Sequence, residues 1–160
     1  MDDPRLAMAA ELFRQAYQLQ MQGELDLAVR LYQRSIELHP TAEAYTYLAW
    51  TYRFQGKLDQ AIVECKKAIA IDPGYGNPYN DIGAYLIEKD KLDEAIPWFE
   101  ADTRAHRYEA YHYPWFNLGR VYFAKEMYSR ARECWKKALE IEPDYVPARQ
   151  ALSRLSRLVQ

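Results

Sequence analysis

Apolar residues return every three or four positions through most of this chain. The first run is Leu6, Ala9/Ala10, Phe13, Ala16/Tyr17 and Met21, the apolar face of an α-helix. Asp3-Pro4 stands ahead of it as N-cap and first helical residue. Gly23 supplies a turn, and a second helix runs from about Leu25 to Leu38. His39-Pro40 ends it, because proline cannot continue the hydrogen-bond ladder. Thr41 caps a third helix, about Ala42 to Phe54. Gly56 turns the chain into a fourth, about Leu58 to Ile71, which Asp72-Pro73-Gly74-Tyr75-Gly76 breaks. Asn77-Pro78 reads as another cap and first-turn proline. Asp90 stands where a turn glycine is expected, and the next helix starts near Leu92, with Pro97 close enough to its start for the missing N–H to cost little. Tyr113-Pro114 opens a further pair that turns near Glu126 and ends at Glu142-Pro143. Pro147 opens a last helix to about Val159, with Ala148, Ala151/Leu152, Leu155 and Val159 on one stripe. Strand signals are absent.

The same residues recur at a near-constant interval. Ala28, Ala61, Ala95 and Ala131 are 33, 34 and 36 residues apart. Ala16, Ala49, Gly83 and Gly119 keep those steps, as do Leu19, Tyr52, Leu86 and Tyr122, and Tyr32, Cys65, Phe99 and Trp135. Two helices per period of about 34 residues mean a stacked array of helical hairpins, whose last apolar face needs a capping helix. Small residues in two of the series let the paired helices approach, and bulky ones fill the gaps between units.

The units differ where function is to be sought. Gln15 and Ser35 replace apolar residues in the first unit. In the third, Asp102 stands at the position of Ala68 and Ala138, and Arg107 at that of Pro40, Pro73 and Pro143. The longest step falls here. The third unit's second helix is therefore expected to run on or fray, and residues 105–113 to form a longer junction. That junction is either a tolerated insertion, a local change of superhelix angle, or a rim for a partner.

Unit two reads Tyr45, Leu48, Ala49, Tyr52, Gly56, Ala61, Cys65, Ala68, Pro73, and unit four reads Trp115, Leu118, Gly119, Tyr122, Glu126, Ala131, Trp135, Ala138, Pro143. This resembles the tetratricopeptide (TPR) pattern of Trp, Leu-Gly, Tyr, Gly, Ala, Phe, Ala and Pro, from about Ala9 to Asp144. The resemblance implies an all-α, right-handed TPR superhelix, an α-solenoid of four helix-turn-helix repeats. It is expected as a single domain over 1–160, with repeats at about 9–41, 42–75, 76–111 and 112–145 and a capping helix over 147–159.

In similar proteins the first helix of each repeat lines an inner groove, and residues one and five places after the bulky position face the ligand. Here those are Phe13, Tyr17, Thr46, Trp50, Asn80, Ala84, Phe116 and Arg120, with Arg53 and Phe123 among the residues one turn on and Tyr47 and Asn117 alongside. An aromatic stripe with a few amides and arginines suits recognition of a protein segment. The expected peptide-binding set is Phe13, Tyr17, Tyr47, Trp50, Arg53, Asn80, Phe116, Asn117, Arg120 and Phe123. Lateral packing of these rings against one another is the competing reading. The positions that clamp a terminal carboxylate in chaperone-tail-binding relatives read Phe13, Tyr17, Tyr47, Asn77 and Asp81, or, one repeat later, Thr46, Trp50, Asp81, Tyr113 and Asn117. Neither set supplies the cations, so that clamp is not expected.

Composition narrows the partner class. The net charge of −2 argues against nucleic acid or a membrane surface, despite Arg149, Arg154 and Arg157 on the last helix. Cys65 and Cys134 form no Cys-x-x-Cys pair and read as buried reduced thiols, which fits a cytoplasmic protein. Met1-Asp2-Asp3-Pro4 lacks the basic start of a leader, and no apolar run approaches a membrane span. His39, His106 and His112 lack metal-ligand spacing, and no nucleophile or phosphate-loop motif occurs. The expectation is a non-enzymatic adaptor without cofactor, binding a peptide of a partner protein. The alternative is a scaffold that oligomerises through repeat ends or groove filling.

Overall fold

Nine α-helices follow one another among the described residues of this computed structural model: α1 (Pro4–Met21), α2 (Leu25–Leu38), α3 (Ala42–Phe54), α4 (Leu58–Ile71), α5 (Asn77–Glu88), α6 (Leu92–Thr103), α7 (His112–Ala124), α8 (Tyr128–Ile141) and α9 (Val146–Leu158). The described residues are 3–108 and 110–159. Met1 and Asp2 of the acidic start, Glu109 of the junction, and Gln160 lie outside them. The helices pack as hairpins α1/α2, α3/α4, α5/α6 and α7/α8, each stacked on the next, with α9 on α8. Contacts between α1 and α3, α3 and α5, and α5 and α7 align the first helices in one layer. This is the all-α TPR superhelix that the repeat pattern predicts.

Each hairpin turns in the same way. Gly23, Gly56, Asp90 and Glu126 all adopt positive φ, between 59° and 82°. In each turn the following N–H reaches back to a carbonyl of the first helix: Glu24 to Leu19, Lys57 to Tyr52, Lys91 to Leu86 and Met127 to Tyr122, at 2.8–2.9 Å. The recurring Leu/Tyr series thus supplies the acceptors of four Schellman caps. Side chains repeat the tie between units. Gln55, Lys89 and Lys125 at the ends of α3, α5 and α7 bond Asp26, Asp59 and Asp93 in the first turn of the preceding hairpin's second helix.

The small-residue series lies at the closest approaches. Ala16, Ala28, Ala49, Ala61, Ala95 and Ala131 are fully buried. A Cβ on Gly83 would stand 2.5 Å from the Phe99 ring, and one on Gly119 would clash with the Trp135 indole at its Nε1 edge. Ser35 is satisfied by donating to the Ala9 carbonyl at 2.8 Å. Cys65 and Cys134 are both free and buried, and burial pushes the Cys134 thiol up to about 11.

Two local expectations are corrected, and a third is decided between its alternatives. Asn77 is the first residue of α5 rather than its cap; Gly76 precedes it with no side-chain cap bond. Pro97 is an interior residue of α6, not a first-turn one. Of the two outcomes expected for the third second-helix, the structure shows the early end: α6 has 12 residues where α2, α4 and α8 have 14.

The junction after α6 folds back on the preceding repeat. Gly76 N–H donates to the Arg107 carbonyl at 3.0 Å, and Arg107 N–H to that of Gly74 at 2.7 Å. The Arg107 guanidinium pairs with Glu43 at 3.0 Å and Asp72 at 2.5 Å, and lies 4.4 Å from the centre of the Tyr75 ring. Its hydrogen bond holds the Asp72 carboxyl below the usual range. An arginine in place of the repeat-ending proline therefore joins the turn of one repeat to the end of the next. Arg107→Ala is expected to speed hydrogen exchange at the Gly76 and Arg107 amides while leaving the denaturation midpoint almost unmoved, because exposed ion pairs contribute little. An unchanged exchange rate at both amides would refute the clamp.

Candidate functional site

The first-helix layer carries two aromatic clusters with a polar belt between them. In the N-terminal cluster Phe13 of α1 meets Tyr47 of α3 edge-on at 5.2 Å and Tyr32 of α2 at 5.5 Å. Tyr47 also touches Tyr17 and Trp50, and Trp50 touches Phe54. The spacing of Phe13 and Tyr17, and of Tyr47, Trp50 and Phe54, puts each set on one helix face, and the stacking of α1 on α3 joins the two faces. The rings support one another, but the surface stays open: Tyr17 is 40% and Phe54 48% exposed, and Phe13, Tyr47 and Trp50 are half-buried. Burial, with Tyr17 and the acids Asp81 and Glu43 nearby, pushes the Tyr47 phenol above its ordinary range.

The middle of the layer is polar. Asn117 of α7 donates from Nδ2 to Asn80 Oδ1 of α5 at 2.9 Å, and Arg120 Nη1 donates to Asn117 Oδ1 at 3.0 Å. Asn117 is thus engaged at both ends of its amide, and Asn80 and Arg120 remain the more open members. Arg53 is tied to Glu88 of α5 at 3.0 Å and packs beside Phe54. Asp81 lies next to this belt, its carboxyl pushed up to about 7 by burial.

The C-terminal cluster closes on the last helix. Phe116 and Phe123 of α7 flank Trp135 of α8 at 6.5 and 5.8 Å, and the Trp135 indole donates to the Phe116 carbonyl at 3.1 Å. Phe116 also meets Tyr145 edge-on at 5.3 Å. A cavity of about 340 Å³ opens here, lined by Phe116, Arg120, Phe123 and Trp135 together with Ala151, Arg154 and Leu158 of α9.

The structure therefore brings Phe13, Tyr17, Tyr47 and Trp50 into one cluster, Phe116 and Phe123 into a second, and Asn80, Asn117 and Arg120 into the belt between; Arg53 lies against Phe54 at the edge of the first cluster, tied to Glu88. Sequence reasoning missed Trp135, which the repeat pattern assigns to packing, Arg154, which it took only as one of three arginines on the last helix, and Leu158, to which it gave no role. The available signal was the spacing of Ala151, Arg154 and Leu158 along one side of α9. No group of three or more metal-ligating side chains occurs among the described residues, and no described helix is long and apolar enough to cross a membrane.

A model of the tetratricopeptide repeat matches residues 42–75 and 112–145, and a second such model matches residues 12–42. The small glutamine-rich tetratricopeptide repeat-containing protein 2 of Mycosarcoma maydis is 28% identical over 99 residues, 61% of this chain. The chain spans only 28% of that protein's length. Among solved structures, the type IV pilus biogenesis factor PilW superposes with a TM-score of 0.83 at 18% identity, over 94% of this chain and 69% of that one. YrrB, described as a TPR protein with an unusual peptide-binding site, superposes with a TM-score of 0.74 at 19% identity, over 91% and 74% of the two chains.

Proposed function

The chain belongs to the tetratricopeptide repeat family, and from that premise we propose that it is a non-enzymatic interaction module holding a peptide segment of a partner protein along its first-helix layer. The observation that carries this reading is the half-open aromatic surface of Tyr17, Tyr47, Trp50 and Phe54. Rings fixed by edge-on contacts present apolar area at little entropic cost, the property of binding hot spots. Asn80 and Arg120 supply hydrogen bonds that orient a peptide backbone. The peptide-binding site of a structural relative, YrrB, is consistent with this use of the fold.

The test is a cross-linked pull-down from the native host with Trp50→Ala and Phe116→Ala. Both variants are expected to lose the partner captured by the unaltered chain while remaining folded by circular dichroism. Retained partner with a fallen melting temperature assigns the rings to packing and overturns the proposal. A second reading, self-association, rests on apolar side chains open on the first and last helices, Leu6 and Met8 on α1 and Leu158 on α9. Light scattering over a wide concentration range decides it: a monomer throughout removes that reading.

A further inference from the structure

The cavity between α7 and α9 has an apolar floor and a purely cationic edge. Phe116 and Phe123 are half-buried and Trp135 is buried, whereas Arg120 and Arg154 are exposed. Leu158 forms an open lip, 62% exposed. Neither arginine pairs with a carboxylate among the described residues; Arg120 is only oriented, through Asn117. The sequences of α7 and α9 contain no aspartate or glutamate at all. In a chain whose net charge is −2, the only charged side chains lining this cavity are the two arginines. Elsewhere in the first-helix layer the cation Arg53 is already neutralised by Glu88.

We infer that this cavity seats a large apolar side chain of an acidic partner segment, with an adjacent Asp or Glu carboxylate held by Arg120 and Arg154. The inference rests on the peptide-binding reading above and adds to it a charge preference, a location and a role for the last helix. A volume of about 340 Å³ suits one aromatic or long aliphatic side chain with its flanking backbone. Two unpaired guanidinium groups at the edge of apolar walls favour an anion, to which they donate charge-assisted hydrogen bonds. The site differs from a terminal-carboxylate clamp on the first helices, because one of its two cations comes from α9.

The probe is an acetylated, amidated peptide, Gly-Glu-Glu-Phe-Glu-Glu-Gly, compared with its glutamine counterpart and with a phenylalanine-to-glycine version. Binding is followed by the NMR signals of the tryptophan indole N–H groups, since Trp135 lines the cavity and Trp50 lies in the other cluster. The acidic peptide is expected to bind about tenfold more tightly than the glutamine peptide at low salt, the worth of one charge-assisted contact. High salt should narrow the ratio. Arg154→Gln should bring it close to one, and Arg34→Gln, which removes an exposed arginine on α2, should leave it intact. The Trp135 signal should move while the Trp50 signal stays. Equal affinity of the two peptides, no binding by either, a ratio that survives Arg154→Gln, or an unmoved Trp135 signal overturns the inference. So does tighter binding of Gly-Gly-Phe with a free terminal carboxylate, which would assign the cavity to a chain end. Loss of partner in the Trp50→Ala pull-down is a separate result, so the groove reading stands or falls independently of the charge preference.

Discussion

Gly119→Ala is expected to lower stability by about 2–4 kcal/mol, from overpacking and a disturbed hydrogen bond. The new methyl would clash with the Nε1 edge of the Trp135 indole, so either the ring or the α7–α8 spacing must give. The indole is fixed on two sides, by its hydrogen bond to the Phe116 carbonyl and by the Phe123 ring. Yielding therefore means breaking that bond or opening the hairpin. The same series holds alanine at Ala49, where the bulky-series residue is only Cys65, and glycine at Gly83 and Gly119, where it is Phe99 or Trp135. Glycine thus accompanies the ring in units three and four, whereas unit one keeps Ala16 with Tyr32. Gly83→Ala should accordingly cost about 1–3 kcal/mol. Urea denaturation measures both, and Trp135→Phe in the Gly119→Ala background should recover part of the loss, a coupling expected only for groups in contact. A Gly119→Ala protein with an unchanged midpoint would show that the ring has room to move.

The second large effect has the opposite sign. Asp102→Ala is expected to raise stability at neutral pH by about 2–4 kcal/mol, because it removes a buried carboxyl that has no partner. Asp102 is fully buried, and neither carboxyl oxygen has a hydrogen-bond partner among the described residues. Its Oδ1 would stand 2.5 Å from a Cβ on Gly76, so the turn before α5 has space for it only through that glycine. Burial, with Asp81 nearby, pushes its carboxyl up from the ordinary 3.8 to about 8. The folded chain therefore holds a proton that the unfolded chain releases. Stability falls as pH rises from about 3.8 to about 8 and is level above that window. Asp102→Ala should flatten this slope and gain less in acid than at neutral pH. Asp81, pushed up to about 7 by burial, leaves a remaining slope of the same sign. Asp102→Asn removes the titration but keeps an unpaired polar group, so its gain should be smaller. Denaturation midpoints across the pH range decide the matter; an alanine variant no more stable than the parent refutes the assignment.

Both effects show where the sequence was readable. The glycine and alanine series is visible as a period because helix spacing and hairpin length are local properties. Every hairpin turn follows from four residues and one reach-back hydrogen bond, so even Asp90 and Glu126, which lack glycine's freedom, occupy the expected place. The departure at Asp102 is also visible, but its consequence is not. Whether a carboxylate in that position meets a cation, water or a glycine depends on how the next turn packs against it. Likewise Arg107 reads as a missing proline, while its contacts to Glu43, Asp72 and Tyr75 depend on the fold of the junction.

The candidate site divides along the same line. The aromatic residues of the first helices are legible because one helical face gathers Phe13 with Tyr17 and Trp50 with Phe54. The division into two clusters, the engagement of Arg53 by Glu88 and the pairing of Asn80 with Asn117 arise only when residues about one repeat apart are stacked. The sequence by itself determined the helices, their turns, the repeat and the stripe, since these rest on periodicity and backbone chemistry within a few residues. The tertiary structure alone decided which polar groups are neutralised, which carboxyl is stranded and which arginines remain open. Those outcomes are set by the distance and burial of side chains brought together from separate helices, and electrostatic energy depends on both.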